Sequence, residues 1–224
     1  MHDTELMKRS FELEILDVEE LAPELLTRVH DGLSLTHRLL RNHAAILQAL
    51  QSDRPQKVLD IGCGHGGLLE KIRRTGAEVV GADLKPPAAS LREFPILKLD
   101  AVRDALPTAD VAVSVCLMHH LHDDEFIELI QNVGRSCKRF VILDLVRNPL
   151  PLALFRTFAP LVLPRVNVLD GSQSIRRAYS AKEFHALIER ALAGTNGSFG
   201  HKVSPFWIRQ IADIRYGVSS IREL

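Results

Sequence analysis

Val58-Leu59-Asp60-Ile61-Gly62-Cys63-Gly64-His65-Gly66-Gly67 is a short apolar run that enters a glycine cluster and then the amphipathic stretch 68–74. That order reads as strand, tight turn and helix. Glycines there let the backbone pass close to a ligand and leave amide donors at a helix N-terminus. Three further apolar runs follow at 78–82, 111–115 and 140–145, and a fifth, 95–99, suits an edge strand. The runs are nearly continuous rather than alternating, as expected of parallel strands covered on both faces. Amphipathic stretches at 68–74, 88–93 and 123–137 lie between them, with helical periodicity and crossover length. Strand and helix in alternation predict a doubly wound α/β sheet.

On the N-terminal side, residues 19–50 carry apolar residues at three- and four-residue steps, which predicts helix with a break at Asp31-Gly32-Leu33-Ser34. Residues 1–52 therefore read as a helical cap and 53–224 as the main domain. After Leu145 the pattern changes: Pro149, Pro151, Pro160 and Pro164 interrupt an apolar stretch too broken for one straight helix. Residues 147–179 read as a lid insert, followed by a helix at 181–192 and two strands, 199–203 and 206–211, around Ser204-Pro205.

The chain has 224 residues, with 28 Lys+Arg against 28 Asp+Glu. Zero net charge lacks the broad positive field that phosphate-driven binding needs, so nucleic acid is not an expected partner. Cys63, Cys116 and Cys137 are odd in number and read as free thiols in a reducing compartment. Met1-His2-Asp3-Thr4-Glu5 lacks the basic-then-apolar order of a secretory leader, and no apolar run reaches the ~18 residues of a membrane span. A cytoplasmic protein without stable membrane insertion is the expectation; nothing in the sequence sets its oligomeric state.

Gly62, Gly64 and Gly67 also satisfy the dinucleotide spacing G-x-G-x-x-G, so glycines alone do not choose between nicotinamide and another adenosyl cofactor. Three carboxylates help to choose. Asp60 precedes the turn, where an acid would repel a pyrophosphate and welcome an ammonium or sulfonium. Asp83, after the second strand, can accept both ribose hydroxyls. Asp100, after the edge strand, is placed to read an adenine edge.

The run 58–67, Asp83, Asp100-Ala101 and the stretch 109–121 together resemble, in order, the successive motifs of Rossmann-like S-adenosylmethionine-dependent methyltransferases. That resemblance implies a seven-stranded, mostly parallel sheet with an antiparallel last strand, N-terminal helices and a lid. It implies that Asp60, Gly62, Cys63 and Gly64 meet the methionine part of S-adenosylmethionine, and Asp83 and Leu84 the ribose side. Asp100 and Ala101 would meet the adenine, and Cys116 and Leu117 the wall beside the sulfonium.

Methyl transfer needs an aligned nucleophile and a site without water. A hydroxyl acceptor, with a pKa of ~10 for a phenol, would gain from a base, and His119 is the candidate catalytic residue. His119-x-x-His122-Asp123 could also be read as metal ligands, but Asp144 alone does not complete a set, and no metal is expected. Phe155, Phe158, Leu161, Val162 and Leu163 would wall a pocket for a small hydrophobic or aromatic acceptor, and Arg176 and Arg177 could meet an acceptor anion. His37 and His43, six apart on one helix, fall on different faces. The reading is O-methylation of a small molecule. Quinone-type C-methylation, a silent adenosyl-binding scaffold and a nicotinamide oxidoreductase are its rivals.

Overall fold

The computed structural model describes residues 7–18, 21–86 and 93–217. The stretch Lys57–Ile61 forms β1, followed by β2 (Glu78–Asp83), β3 (Ile96–Lys98), β4 (Ala109–Val115), β5 (Cys137–Leu145), β6 (Ser198–Val203) and β7 (Arg209–Arg215). They make one seven-stranded sheet in the order β3-β2-β1-β4-β5-β7-β6. The first five strands pair in parallel, and β7 runs antiparallel between β5 and β6. The doubly wound sheet is thus as the apolar runs predict, since continuous Val/Ile/Leu marks a strand buried on both sides, and the reversed last strand is as the resemblance implies.

Both faces are covered. Val58, Val79, Val111, Val113, Val141 and Leu143 pack against α3 (Asn42–Leu50) and α4 (Gly67–Arg73). Leu59, Ile61, Ala112, Phe140 and Ile142 pack on the other side against α5 (Asp123–Ser136) and α8 (Ala181–Leu192). The crossover helix expected at 88–93 lies almost wholly outside the described residues.

Two local expectations are corrected, and the insert proves as broken as its prolines imply. The N-terminal helix does not break at Asp31-Gly32-Leu33-Ser34: α2 (Pro23–Leu39) runs through it. Gly32 serves close packing instead, since a Cβ there would lie 2.7 Å from Asn167 Oδ1. The break falls at Arg41, whose φ of 53° ends α2 and starts α3. The second hairpin strand begins at Arg209 rather than 206, because Pro205–Trp207 forms a 3-10 turn in which Phe206 and Trp207 take left-handed backbone. The proline-rich insert resolves into α6 (Pro149–Phe158), capped by Asn148 Oδ1 accepting from the Leu150 amide, then a 3-10 turn Ala159–Leu161 and α7 (Arg165–Arg177).

Gly81, mid-way along β2, has no room to grow: a Cβ would meet Cys63 Sγ at 2.6 Å and Leu69 at 2.9 Å. Gly81→Ala is expected to cost about 2 kcal/mol through overpacking, seen as a midpoint roughly 4–8 °C lower in thermal denaturation.

Candidate functional site

All the sequence-predicted residues sit at the C-terminal ends of the parallel strands, where open α/β sheets bind ligands. Gly62, Gly64 and Gly66 have φ of 70°, 48° and 71°, so the loop after β1 is a run of left-handed turns that only glycine enters freely. Three of its amides are bonded within the fold. Gly62 N donates to Ala82 O at 2.8 Å, Gly64 N to Asp83 Oδ2 at 2.8 Å and Gly66 N to Cys63 O at 2.8 Å. These three donors are therefore spent on the fold, which leaves the loop poorly suited to a pyrophosphate.

Asp60 is 3% exposed at the end of β1. Burial, and behind it the negative charge of Asp83, pushes its carboxyl up to about 8, and no cation among the described residues counters them. A buried acid that lacks a cation at the end of a strand is a fitting partner for a ligand ammonium. Asp83 accepts the Gly64 and Lys85 amides at 2.8 Å each, one on each oxygen, and is held facing the loop. Leu84 beside it is exposed and apolar. Asp100 is tied to its own turn: Oδ1 accepts from Val102 N at 2.9 Å and Oδ2 from Arg103 at 2.7 Å. Ala101 O accepts from Asn132 Nδ2 at 2.9 Å. Leu117 packs over Gly62, whose Cβ, if present, would lie 3.1 Å from it.

At the end of β4, where Val115 and Cys116 line it, lies a cavity of about 560 Å³ walled by α2, α6 and α7. Its apolar lining includes Leu33, Leu40, Leu154, Phe155, Phe158 and Ile175, and its floor holds Cys116, His119, His120 and Glu14. Of the pocket wall expected from the sequence, Phe155, Phe158, Val162 and Leu163 line it, while Leu161 points away and is 78% exposed.

His119, on the turn after β4, is 3% exposed. Its Nδ1 lies 2.7 Å from Asp144 Oδ1 and its amide donates to Asp144 Oδ2 at 2.9 Å. Nε2 faces Glu14 Oε1 at 3.8 Å. Burial works to lower the His119 pKa, yet the charge and hydrogen bond of Asp144, joined by Glu14, raise it above the usual 6.5. His120 is the opposite case: burial, then the His119 and Arg177 charges, push it down to about 3. The imidazole–carboxylate pair at a cavity floor has the form of a general base with its orienting acid.

Glu14 is the residue that sequence reasoning missed. It arrives on the N-terminal segment, which is pinned across the site where Ile15 N and Leu16 N donate to Asp170 at 2.8 and 3.2 Å. Glu14 Oε1 accepts from Ser174 Oγ at 2.8 Å. Burial raises its carboxyl, and the His119 charge opposes that. Glu14, His119 and His120 each offer a possible metal-ligand atom within 4.8 Å of one another. Arg177, 3.9 Å from Glu14, already places a fixed positive charge there. Arg177 is not a solvated or acceptor-facing residue: it is buried and paired with Asp17 at 2.9 Å, while Arg176 is exposed. His122 turns away to cap α5 and stack on Phe11. His37 and His43 do meet, with ring centroids 5.1 Å apart, because the chain breaks between them at Arg41. His65 is an exposed residue of the glycine loop, with its Nε2 3.1 Å from His30 Nδ1 of α2.

A glycine turn between β1 and α4, acids at three strand ends and a reversed β7 define the Rossmann-like methyltransferase fold. The chain matches the family described as methyltransferase domain over residues 34–191, and it belongs to that family. It is 31% identical over 160 residues to a ubiquinone biosynthesis O-methyltransferase of Ruegeria sp. (strain TM1040), a match covering 63% of each chain. It thus spans less than two thirds of that relative's length. Over 50 residues it is 48% identical to the protein of the same name from Cereibacter sphaeroides (strain ATCC 17029 / ATH 2.4.9), covering 22% of this chain and 18% of that one. Among solved structures it resembles the plantazolicin methyltransferase BpumL in complex with SAH, with a TM-score of 0.68 and 16% identity over 87% of this chain and 91% of that chain. It also resembles human N-acetylserotonin methyltransferase in complex with SAM, with a TM-score of 0.61 and 19% identity over 94% of this chain and 63% of that chain.

The folded His119 pKa lies above the unfolded one. Its charged form therefore contributes stability that is complete below about pH 6.5 and lost as pH rises through the folded value. In Asp144→Asn, burial acts without the acid's charge, so His119 is expected to titrate below 6.5 by NMR of its ring protons. The stability difference between wild type and variant should shrink as pH rises.

Proposed function

We propose that the chain is an S-adenosylmethionine-dependent methyltransferase that methylates a hydroxyl of a small hydrophobic or aromatic acceptor. The observation that carries this reading is the His119–Asp144 pair, whose imidazole lies on the floor of a largely apolar cavity at the same end of the parallel strands as Asp60. Bound S-adenosylmethionine would supply an electrophilic methyl group on a sulfonium. Asp60 would hold its ammonium, Gly62, Cys63 and Gly64 would let the methionine part approach the backbone, and Asp83 with Leu84 would take the ribose side. Asp100 and Ala101 would border the adenine, where the Asp100 carboxylate must share itself with Arg103. Cys116 and Leu117 would form the wall between cofactor and acceptor.

On the acceptor side, His119 Nε2 would take the hydroxyl proton as the oxygen becomes a nucleophile, and Asp144 would hold the imidazole and stabilise its charge. The apolar walls exclude water from the transfer. Residues 1–52 and the insert 147–179 would serve as cap and lid on a cofactor domain at 53–224. The similarity to proteins named for ubiquinone biosynthesis supports a phenolic or quinol-like ring as acceptor, a class that suits the lining of Phe155, Phe158 and leucines. A cytoplasmic setting agrees with the free thiols of all three cysteines.

Thermal-shift titration with S-adenosylmethionine, S-adenosylhomocysteine, NADH and NADPH tests the cofactor. Only the first two should raise the midpoint, by roughly 5–10 °C at ~100 times Kd. Asp60 separates function from stability. Because its folded pKa of about 8 lies above the unfolded 3.8, ionisation costs the fold stability as pH rises between these values. Asp60→Asn should therefore be at least as stable as wild type at pH 8, while its Kd for S-adenosylmethionine rises roughly tenfold to a hundredfold. His119→Gln should lower kcat on hydroxyl acceptors by about 10²–10⁴ with cofactor Kd unchanged; full turnover in that variant removes the base from the scheme.

A further inference from the structure

The mouth of the cavity is itself apolar. Leu39, Phe158 and Val162 line the cavity yet are 58–61% exposed. Leu161 projects beside Val162, and Phe206 and Trp207 are exposed on the 3-10 turn that packs against α6. That turn holds two aromatic residues outward in left-handed backbone, with φ of 60° and 53°, a conformation that bulky side chains rarely adopt. Leu39, Phe158 and Val162 border the opening, and Leu161, Phe206 and Trp207 extend exposed apolar surface beside it, unlike the scattered single hydrophobes of an ordinary surface. The flanks are basic. Residues 148–169 contain no Asp or Glu and include the exposed Arg156 and Arg165, and exposed Arg41 adjoins the lining residues Leu40 and Asn42.

We propose that this face docks on the surface of an anionic lipid bilayer, with the cavity opening toward the acyl region. Apolar side chains would enter the headgroup–acyl boundary while the arginines meet anionic headgroups. Among the described residues no helix is long and apolar enough to cross a membrane, so the association is interfacial. A second copy of this chain fits the face less well. A two-fold contact would set the patch on itself, with Arg156 and Arg165 meeting their own copies and no acid from 148–169 to offset them. The docking inference stands on this surface alone. That an apolar acceptor enters from the lipid rests in addition on the methyl-transfer reading.

Co-sedimentation of the full chain with phosphatidylcholine vesicles, with and without phosphatidylglycerol, tests it. Wild type should sediment with the mixed vesicles, less with phosphatidylcholine alone, and less at high salt. Leu161→Asp with Trp207→Asp should lower the partition coefficient about tenfold or more, and Arg156→Gln with Arg165→Gln should abolish the preference for phosphatidylglycerol. Thermal shift with S-adenosylmethionine in each variant reports folding and the cofactor reading separately. The proposal is overturned if wild type stays in the supernatant, if the aspartate variant sediments like wild type, or if sedimentation velocity shows a dimer that this variant dissociates.

Discussion

The cavity floor depends on one buried carboxylate. Asp144, 1% exposed at the end of β5, takes the His119 amide on one oxygen and both the His119 ring nitrogen and the Leu145 amide on the other. The first of these bonds fixes the turn that follows β4, and the second fixes the imidazole. The third holds the chain as it leaves β5 for the insert. A carboxylate in this position is stable in the fold only because three donors converge on it. Removing its charge would loosen strand end, turn and histidine together.

The N-terminal segment is the complementary clamp. Asp170 of α7 receives the Ile15 and Leu16 amides, Gln173 reaches Ser10 Oγ and Glu12 O, and Arg9 donates to the carbonyls of Leu121 and Arg177. These bonds span more than a hundred residues of chain and bring Glu14 to His119. The cavity is therefore closed by regions outside the sheet, the N-terminal segment with α2 and the insert. That division of labour lets a common sheet carry an individual pocket.

The central strands β1, β2, β4 and β5 were legible because each is largely an apolar run, whereas β6 (SFGHKV) and β7 (RQIADIR) are not. What misled was glycine and proline with a tertiary reason. Gly32 looks like a helix break and is a packing contact with α7, whereas the true break at Arg41 carries no glycine at all. That shift is also why His37 and His43 meet. The His119–Asp144 pair was within reach of sequence reasoning, since β4 and β5 are adjacent parallel strands with Val115 opposite Leu143, which brings their following residues together. Glu14 was not: nothing in its neighbourhood has a period or motif, and its place is set by hydrogen bonds to a helix over 150 residues away.

Cys116 lines the apolar cavity directly after the end of β4. It is a non-glycine residue with φ of 57°, held by its amide donating to Leu143 O at 2.8 Å. Left-handed backbone at such a residue costs of order 1–3 kcal/mol and persists only when the surroundings enforce it. Here the enforcing contact comes from β5, one residue before Asp144. The strain and the histidine are thus set by the same strand end. Burial, followed by the charges of Asp144 and Glu14, raises the Cys116 thiol well above its usual value, which keeps it protonated and unreactive. On the proposed reading this supplies what methyl transfer requires at that point: a neutral, fixed wall that cannot itself compete for the methyl group, with the one available base on the acceptor's side.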